Sequence, residues 1–203
     1  MTEVSSRAIR KWNRAAPFMS SNERSEEIRY GAYKRDVFRK ATGSTLLVAV
    51  GTGADLKYFP AGIEVTGIDF APRMLHFARE RTSECASPVE LIEADVTHLE
   101  FEDASFDTVA TSCTFCSVPD PLAGLREVHR VLKPDGRLLM FEHVRPGIAW
   151  LGLMMDLMNP VARWLGPEVN RRTVDTVRAA GFRITREFNV FLDMVKLLEA
   201  EKG

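Results

Sequence analysis

The stretch from Thr45 to Asp69 constrains the fold more than any other. Leu46-Leu47-Val48-Ala49-Val50 is an apolar run of strand length that flows into Gly51-Thr52-Gly53. A second run, Val65-Thr66-Gly67-Ile68, ends on Asp69. Glycine lacks a Cβ and tolerates positive φ, so a strand that runs into such a turn lets the backbone approach a ligand closely. An acid that closes the neighbouring strand lies beside the turn and can accept hydrogen bonds from two ribose hydroxyls. This order predicts a doubly wound α/β sheet that holds an adenosine-type ligand at its carboxyl edge.

The remaining chain keeps the alternation. Val89-Glu90-Leu91-Ile92 reads as a third strand leading to Asp95-Val96, and Ser105-Phe106-Asp107-Thr108-Val109 opens a fourth. Leu132 to Leu138 leads into a fifth, and residues 182–185 and about 194–198 complete the sheet. Pro72 suits the first position of a helix whose inner face is Met74, Phe77 and Ala78. Asp120-Pro121 starts another helix as cap and first residue. His129 shares a face of that helix with Leu122, Leu125 and Leu132, which makes it a packed residue. Thr173 to Ala180 forms a further helix that Gly181 ends.

Two helices precede the sheet, over residues 7–16 and 22–41. In the first, Ile9, Trp12 and Ala16 share one face and Arg7, Lys11 and Arg14 another. That amphipathic pattern suits either packing on the domain or peripheral contact with an anionic membrane surface. In the second, Glu23, Glu26 and Glu27 lie early and Lys34, Arg35, Arg39 and Lys40 late, as the helix dipole prefers. Tyr30, Tyr33 and Val37 form an apolar stripe that can line an acceptor pocket or simply pack. Residues 1–41 are thus expected as a helical lid on a domain spanning 42–203.

At 203 residues and 45% hydrophobic, the chain can bury one substantial core. Its formal net charge of -1 gives no global reason to expect nucleic-acid binding. No apolar run reaches transmembrane length and no signal peptide is seen. Three cysteines, an odd number, fit a reducing cytoplasm. Cys113-x-x-Cys116 lacks the second ligand pair of a metal site, so no metal is expected.

Taken together, the strand-closing residues and their intervals resemble the class I S-adenosyl-L-methionine (SAM) dependent methyltransferases, in the ubiquinone/menaquinone C-methyltransferase branch. The resemblance covers about Leu46 to Val144. It implies a Rossmann-like, mostly parallel seven-stranded sheet with an antiparallel last strand, SAM as methyl donor and S-adenosyl-L-homocysteine (SAH) as product. It further implies that Gly51, Thr52 and Gly53 approach the methionine part and ribose, with the Ala49 carbonyl beside them. Asp69 would bind the ribose hydroxyls, Phe70 and Met74 would pack on adenine, Asp95 and the Val96 backbone would meet the adenine amino group, and Cys113 would face the methionine tail. Trp12 to Phe18 resembles the segment that closes over SAM in this branch.

Several departures matter. The family usually carries an acid at Leu47 and a glycine at Ala49, and the acid helps hold the amino end of the methionine. Their loss keeps open a non-catalytic module that binds SAM. A nicotinamide-dependent oxidoreductase is a second rival, weakened because Leu56 replaces the third glycine of a dinucleotide fingerprint. The quinone enzymes carry Arg-Asn where this chain has Cys116-Ser117. Glu142-His143-Val144, Asp156, Asn159-Pro160 and Asn170 are similar instead to thiol methyltransferases, and the general pattern to phospholipid N-methyltransferases. His143, at the carboxyl end of a strand, is a candidate base, with Asp156 a second catalytic candidate. Residues 145–172, dense in Met and Leu around Trp150, read as a lid over an apolar acceptor. The expected acceptor is a small or lipid-like molecule bearing an amine or a thiol.

Overall fold

A computed structural model describes residues 3–165, 168 and 170–203. Helix α1 spans Glu3–Phe38, followed by β1 (Ser44–Val48), a short 3-10 turn (Leu56–Tyr58), β2 (Glu64–Asp69) and α2 (Pro72–Glu80). Then come β3 (Val89–Glu93), β4 (Phe106–Ser112), α3 (Pro121–Val131), β5 (Leu132–His143), α4 (Ala149–Leu165), α5 (Thr173–Ala179), β6 (Phe182–Phe191) and β7 (Val195–Lys202).

The seven strands form one sheet in the order β3-β2-β1-β4-β5-β7-β6. β1 pairs in parallel with β2 and β4, and β7 is antiparallel to both β5 and β6. This is the expected architecture. The closing hairpin runs further than its short apolar runs suggested, because β6 and β7 remain paired from Phe182↔Lys202 to Phe191↔Val195. Chain reversal between β1 and β4 opens the crevice at which open α/β sheets bind ligands.

Alternation along the strands divides the core. Leu46, Val48, Val109, Leu138 and Met140 face a cluster completed by Leu125 and Val128 of α3. Leu47, Ala110, Leu139 and Phe141 face the other side, where Val37 and Phe38 of α1 and Leu75 of α2 cover them. His129 packs edge-on to Phe182 with ring centres 5.1 Å apart, as expected of a packed helix residue.

The first 38 residues depart from expectation: the two anticipated helices are one, and it runs through Pro17. Proline removes one helix hydrogen bond and normally kinks or ends a helix. Here tertiary contacts on both sides of Pro17 outweigh that loss. Ala16 is fully buried with Met74 and Ala71, and Trp12 packs on the same cluster. Asn13 Oδ1 accepts from the backbone N–H of Arg73 in the first turn of α2, at 3.0 Å. After Pro17, ion pairs fasten the helix to the segment behind the glycine turn. The apolar face of the first turns is therefore occupied by α2, while Arg7 and Arg14 are exposed.

Candidate active site

The parallel strands β1 to β5 end at the same sheet edge, and the expected cofactor residues lie there. Val48 closes β1, and the chain turns through Ala49, Val50, Gly51, Thr52 and Gly53. Gly51 and Gly53 both have positive φ, +57° and +83°. Around an added Cβ, Gly51 would meet only the Ala49 carbonyl oxygen, at 3.8 Å, so one side of the turn stays open. Gly53 would strike Ala78 Cα at 2.9 Å; its missing side chain lets α2 pack close. Ala49 and Cys113 also hold left-handed backbone, at φ 53° and 52°. Two strained non-glycine residues thus flank the ends of the neighbouring strands β1 and β4.

Asp69 is buried at the end of β2. Gly51 N–H donates to its Oδ2 at 3.0 Å and Ala71 N–H to its Oδ1 at 2.9 Å. Burial pushes its pKa up to about 6, against the pull of those two amides. Each carboxylate oxygen keeps acceptor capacity beyond one amide, so the carboxylate is oriented by the backbone and can still bind hydroxyls. Asp95, half-buried after β3, accepts from both the N–H and the hydroxyl of Thr97 through Oδ1. Both acids are thus turn caps as well as ligand candidates; the two roles coexist because the cap fixes the carboxylate. Phe70 and Met74 sit beside Trp12 and Ala16 at the junction of α1 and α2. The Val96 side chain turns into the core, where it would contact a Cβ on Gly124 at 3.3 Å.

Glu142, next to last in β5, is fully buried. Thr111 Oγ1 donates to it at 2.8 Å, and Thr114 N–H and Phe115 N–H donate at 3.1 and 3.2 Å. It sets the path of the loop after β4, and burial pushes its pKa up to about 7. Thr114 Oγ1 in turn donates to the Val48 carbonyl at 3.2 Å, tying β4 to β1. Cys113 is half-buried with its thiol pKa pushed well up by burial, and Cys116 is buried and pushed up to about 12. Neither is a ready thiolate. His143 ends β5, half-buried, and burial lowers its pKa, so it is neutral at pH 7.

Asp156 lies elsewhere, on α4. It pairs with Arg145 through two contacts, Nη2 to Oδ2 at 2.8 Å and Nε to Oδ1 at 3.2 Å. Asn170 Nδ2 also donates to it at 3.0 Å. The Arg145 guanidinium holds its pKa down to about 2, which makes it a poor base. Asp156 joins the start of the insertion to its end, and that arrangement gives no support to a catalytic carboxylate.

Sequence reasoning passed over the group that fastens α1. Glu23 pairs with Arg81 at 2.7 Å and accepts from Thr52 Oγ1 at 2.8 Å. Arg81 also donates to the Thr52 carbonyl at 2.6 Å and to Ser20 Oγ at 3.0 Å. Lys34 bonds Glu26 and Asp55, and Lys57 pairs with Glu27. Glu23 and Glu27 are therefore spent on the glycine turn and the segments behind it, and Glu26 on Lys34 of the same helix, beyond any dipole effect. A recess of about 470 Å³ bounded by Arg178, Phe182, Arg183 and Arg186 lies on the outer strand β6, far along the sheet from β1 and β2.

Among the described residues no group of His, Cys, Asp and Glu suits a metal ion, and no helix is long and apolar enough to cross a membrane. The open glycine turn and the backbone-oriented carboxylate beside it fit a nucleoside cofactor.

Known proteins carry the same signature. Residues 46–140 match the methyltransferase domain family. A demethylmenaquinone methyltransferase of Deinococcus radiodurans is 36% identical over 113 residues, 54% of this chain and 47% of that protein. One of Staphylococcus aureus is 44% identical over 87 residues, 43% of this chain and 35% of that protein. The chain thus spans about half, or less, of the length of these curated relatives. A SAM-dependent methyltransferase of Thermotoga maritima superposes with a TM-score of 0.69 at 21% identity, over 95% of this chain and 100% of that one. The cyclase SpnF superposes with a TM-score of 0.67 at 19% identity, over 86% of this chain and 80% of that one, so the likeness in shape shows the fold alone. The matched domain, these relatives and the shared fold together support a class I SAM-dependent methyltransferase, with residues 46–140 carrying the methyltransferase-domain sequence pattern.

Proposed function

We propose that this protein transfers the methyl group of SAM to an apolar, lipid-like acceptor. The observation that carries the acceptor class is the outer face of α4. Trp150, Leu153, Met154, Leu157 and Met158 recur at helical spacing and are all exposed, Leu157 to 74%. The insertion is rooted at the ligand edge: Glu168 N–H donates to the Cys116 carbonyl and Arg145 N–H to the Arg171 carbonyl, both at 2.8 Å. Adaptable Met and Leu side chains beside the cofactor edge suit an apolar chain of variable shape. The same stripe makes α4, rather than the covered face of α1, the element for peripheral contact with a lipid surface.

SAM supplies an electrophilic methyl on a good leaving group. The chain's own work is then to bind and orient it, align the acceptor and exclude water. Asp69 holds the ribose, Asp95 the adenine amino group, and the turn from Ala49 to Gly53 lies along the tail. Neutral His143 takes the proton of a thiol or a protonated amine; an acceptor without a proton to lose needs no base. The names of the curated relatives point to a quinone ring as a third acceptor. The thiol or amine is favoured here by Cys116 and Ser117, which replace the Arg-Asn of the quinone enzymes.

The test is transfer of tritiated methyl from SAM to thiols, amines and quinols, each in short-chain soluble and long-chain micellar forms. Long-chain thiols or amines should be labelled in preference to short ones, and Leu157→Ser should lower that preference. Labelling of short soluble acceptors alone, indifferent to Leu157→Ser, would contradict the apolar assignment. SAM binding with no labelling of any acceptor would favour the non-catalytic module.

A further inference from the structure

Lys34 is a charged residue on the buried face of α1, between Tyr30 and Val37. Only 5% of its side chain is exposed. Its Nζ donates to Glu26 Oε1 at 2.6 Å and to both oxygens of Asp55, at 2.9 and 3.2 Å. The ammonium also lies 5.3 Å from the centre of the Phe141 ring, near the end of β5. Its charge acts on Cys113 at the end of β4 and on His143 at the end of β5. Burial alone would push its pKa down; Asp55 and Glu26 outweigh that and hold it above the ordinary lysine value.

A triad placed there has a counterpart in the chemistry of the cofactor. The tail of SAM or SAH is a zwitterion, an ammonium and a carboxylate on one carbon, and both need partners once taken from water. Leu47, where the family has its acid, is packed in the same apolar cluster as Phe141 and supplies no such partner. Asp55 lies two residues past the glycine turn, and Glu26 and Lys34 reach the same place from the covering helix. Glu26, with 43% of its side chain exposed, is the member free to exchange, while Asp55, at 13%, stays on Lys34.

We infer that Lys34, Glu26 and Asp55 form the seat of the cofactor's amino-acid tail, Lys34 taking the carboxylate and the two acids the ammonium, in place of the acid missing at Leu47. This rests on the SAM-binding reading and deepens it. It assigns α1 two tasks: covering the nucleoside and supplying the charges that read its tail.

Calorimetric titration of the full chain with truncated ligands tests it. The ligands are SAH, SAH analogues lacking the carboxylate or the amine, and 5′-deoxy-5′-methylthioadenosine, which has no tail. Lys34→Met should weaken SAH by about 10- to 100-fold, the size of one charge-assisted bond. It should leave methylthioadenosine and the carboxylate-free analogue unchanged. Glu26→Gln, on a half-exposed side chain whose loss does not threaten folding, should weaken SAH but not the amine-free analogue. Equal effects of either variant on SAH and methylthioadenosine would reduce the triad to a strap and overturn the inference. So would wild-type protein that binds SAH no better than methylthioadenosine. Failure of the wild type to bind any of the four would overturn the cofactor reading itself, and the inference with it.

Discussion

At the scale of single residues, strain and burial gather where the ligand edge is built. Ala49 holds φ 53° at the position where the family has glycine. A left-handed L-residue costs roughly 1–2 kcal/mol, while glycine adds roughly 0.5–1 kcal/mol of unfolded-state entropy. Ala49→Gly should therefore raise stability by up to about 1 kcal/mol in denaturant titrations, where the same change within a strand lowers it. A clear loss would show that the methyl group makes a contact worth more than the strain. Glu142 gives a pH signature. Its folded pKa, about 7, lies above its unfolded value of 4.5, so the folded chain binds more protons between them. Stability should then fall as pH rises from about 4.5 to 7, with a contribution on the order of 3 kcal/mol over the window. Asp69 adds to this between 3.8 and about 6. Glu142→Gln should flatten the decline in melting temperature across that range; an unaltered slope would mean that Glu142 is not the group responsible.

Among the elements, α1 shows best what a sequence conceals. Its apolar spacing was legible, but its continuity was not, because Pro17 is a local signal and the partners that override it, Arg73 and Arg81, lie some 60 residues away. Lys34 could have been found: with Tyr30, Val37 and Phe38 it occupies one helical face, and a lysine there demands acidic partners. Glu142 gave a similar sign, an acid at the end of the apolar run Leu138 to Phe141. The places of Asp69 and Asp95, though not what they bind, were readable because strand ends fix them. The ion pair of Asp156 was not, since it depends on Arg145, placed beside it only by the turn into α4. Arg81 holds α1 to the glycine turn through Glu23, Ser20 and the Thr52 carbonyl. Arg81→Ala should cost about 2–3 kcal/mol by leaving Glu23 and the Thr52 carbonyl without this partner. It should also speed tryptic cleavage within residues 7–29 well before the sheet is cut. Cleavage no faster than in the parent chain would show that the other ion pairs suffice.

Over the whole molecule, the succession of strands came through from the sequence because β1 to β5 contain apolar runs, while the mostly parallel sheet with its antiparallel end was implied by the family resemblance. What the sequence left open is how α1 and α4 divide the ligand edge between them. α1 is charged and fastened over the glycine turn; α4 presents an apolar stripe on the side of β5. In the proposed function, that division gives the cofactor and the acceptor separate covers, with the methyl passing between them near Cys113 and His143. Both covers have meaning only if the nucleoside lies at the ends of β1, β2 and β3. Diffraction from crystals grown with SAH measures this directly. The ribose should lie on Asp69 and the adenine amino group on Asp95, with the sulfur beside the Gly51 turn. A nucleoside elsewhere, or Asp69 facing only its two backbone amides in a crystal that contains SAH, would contradict it.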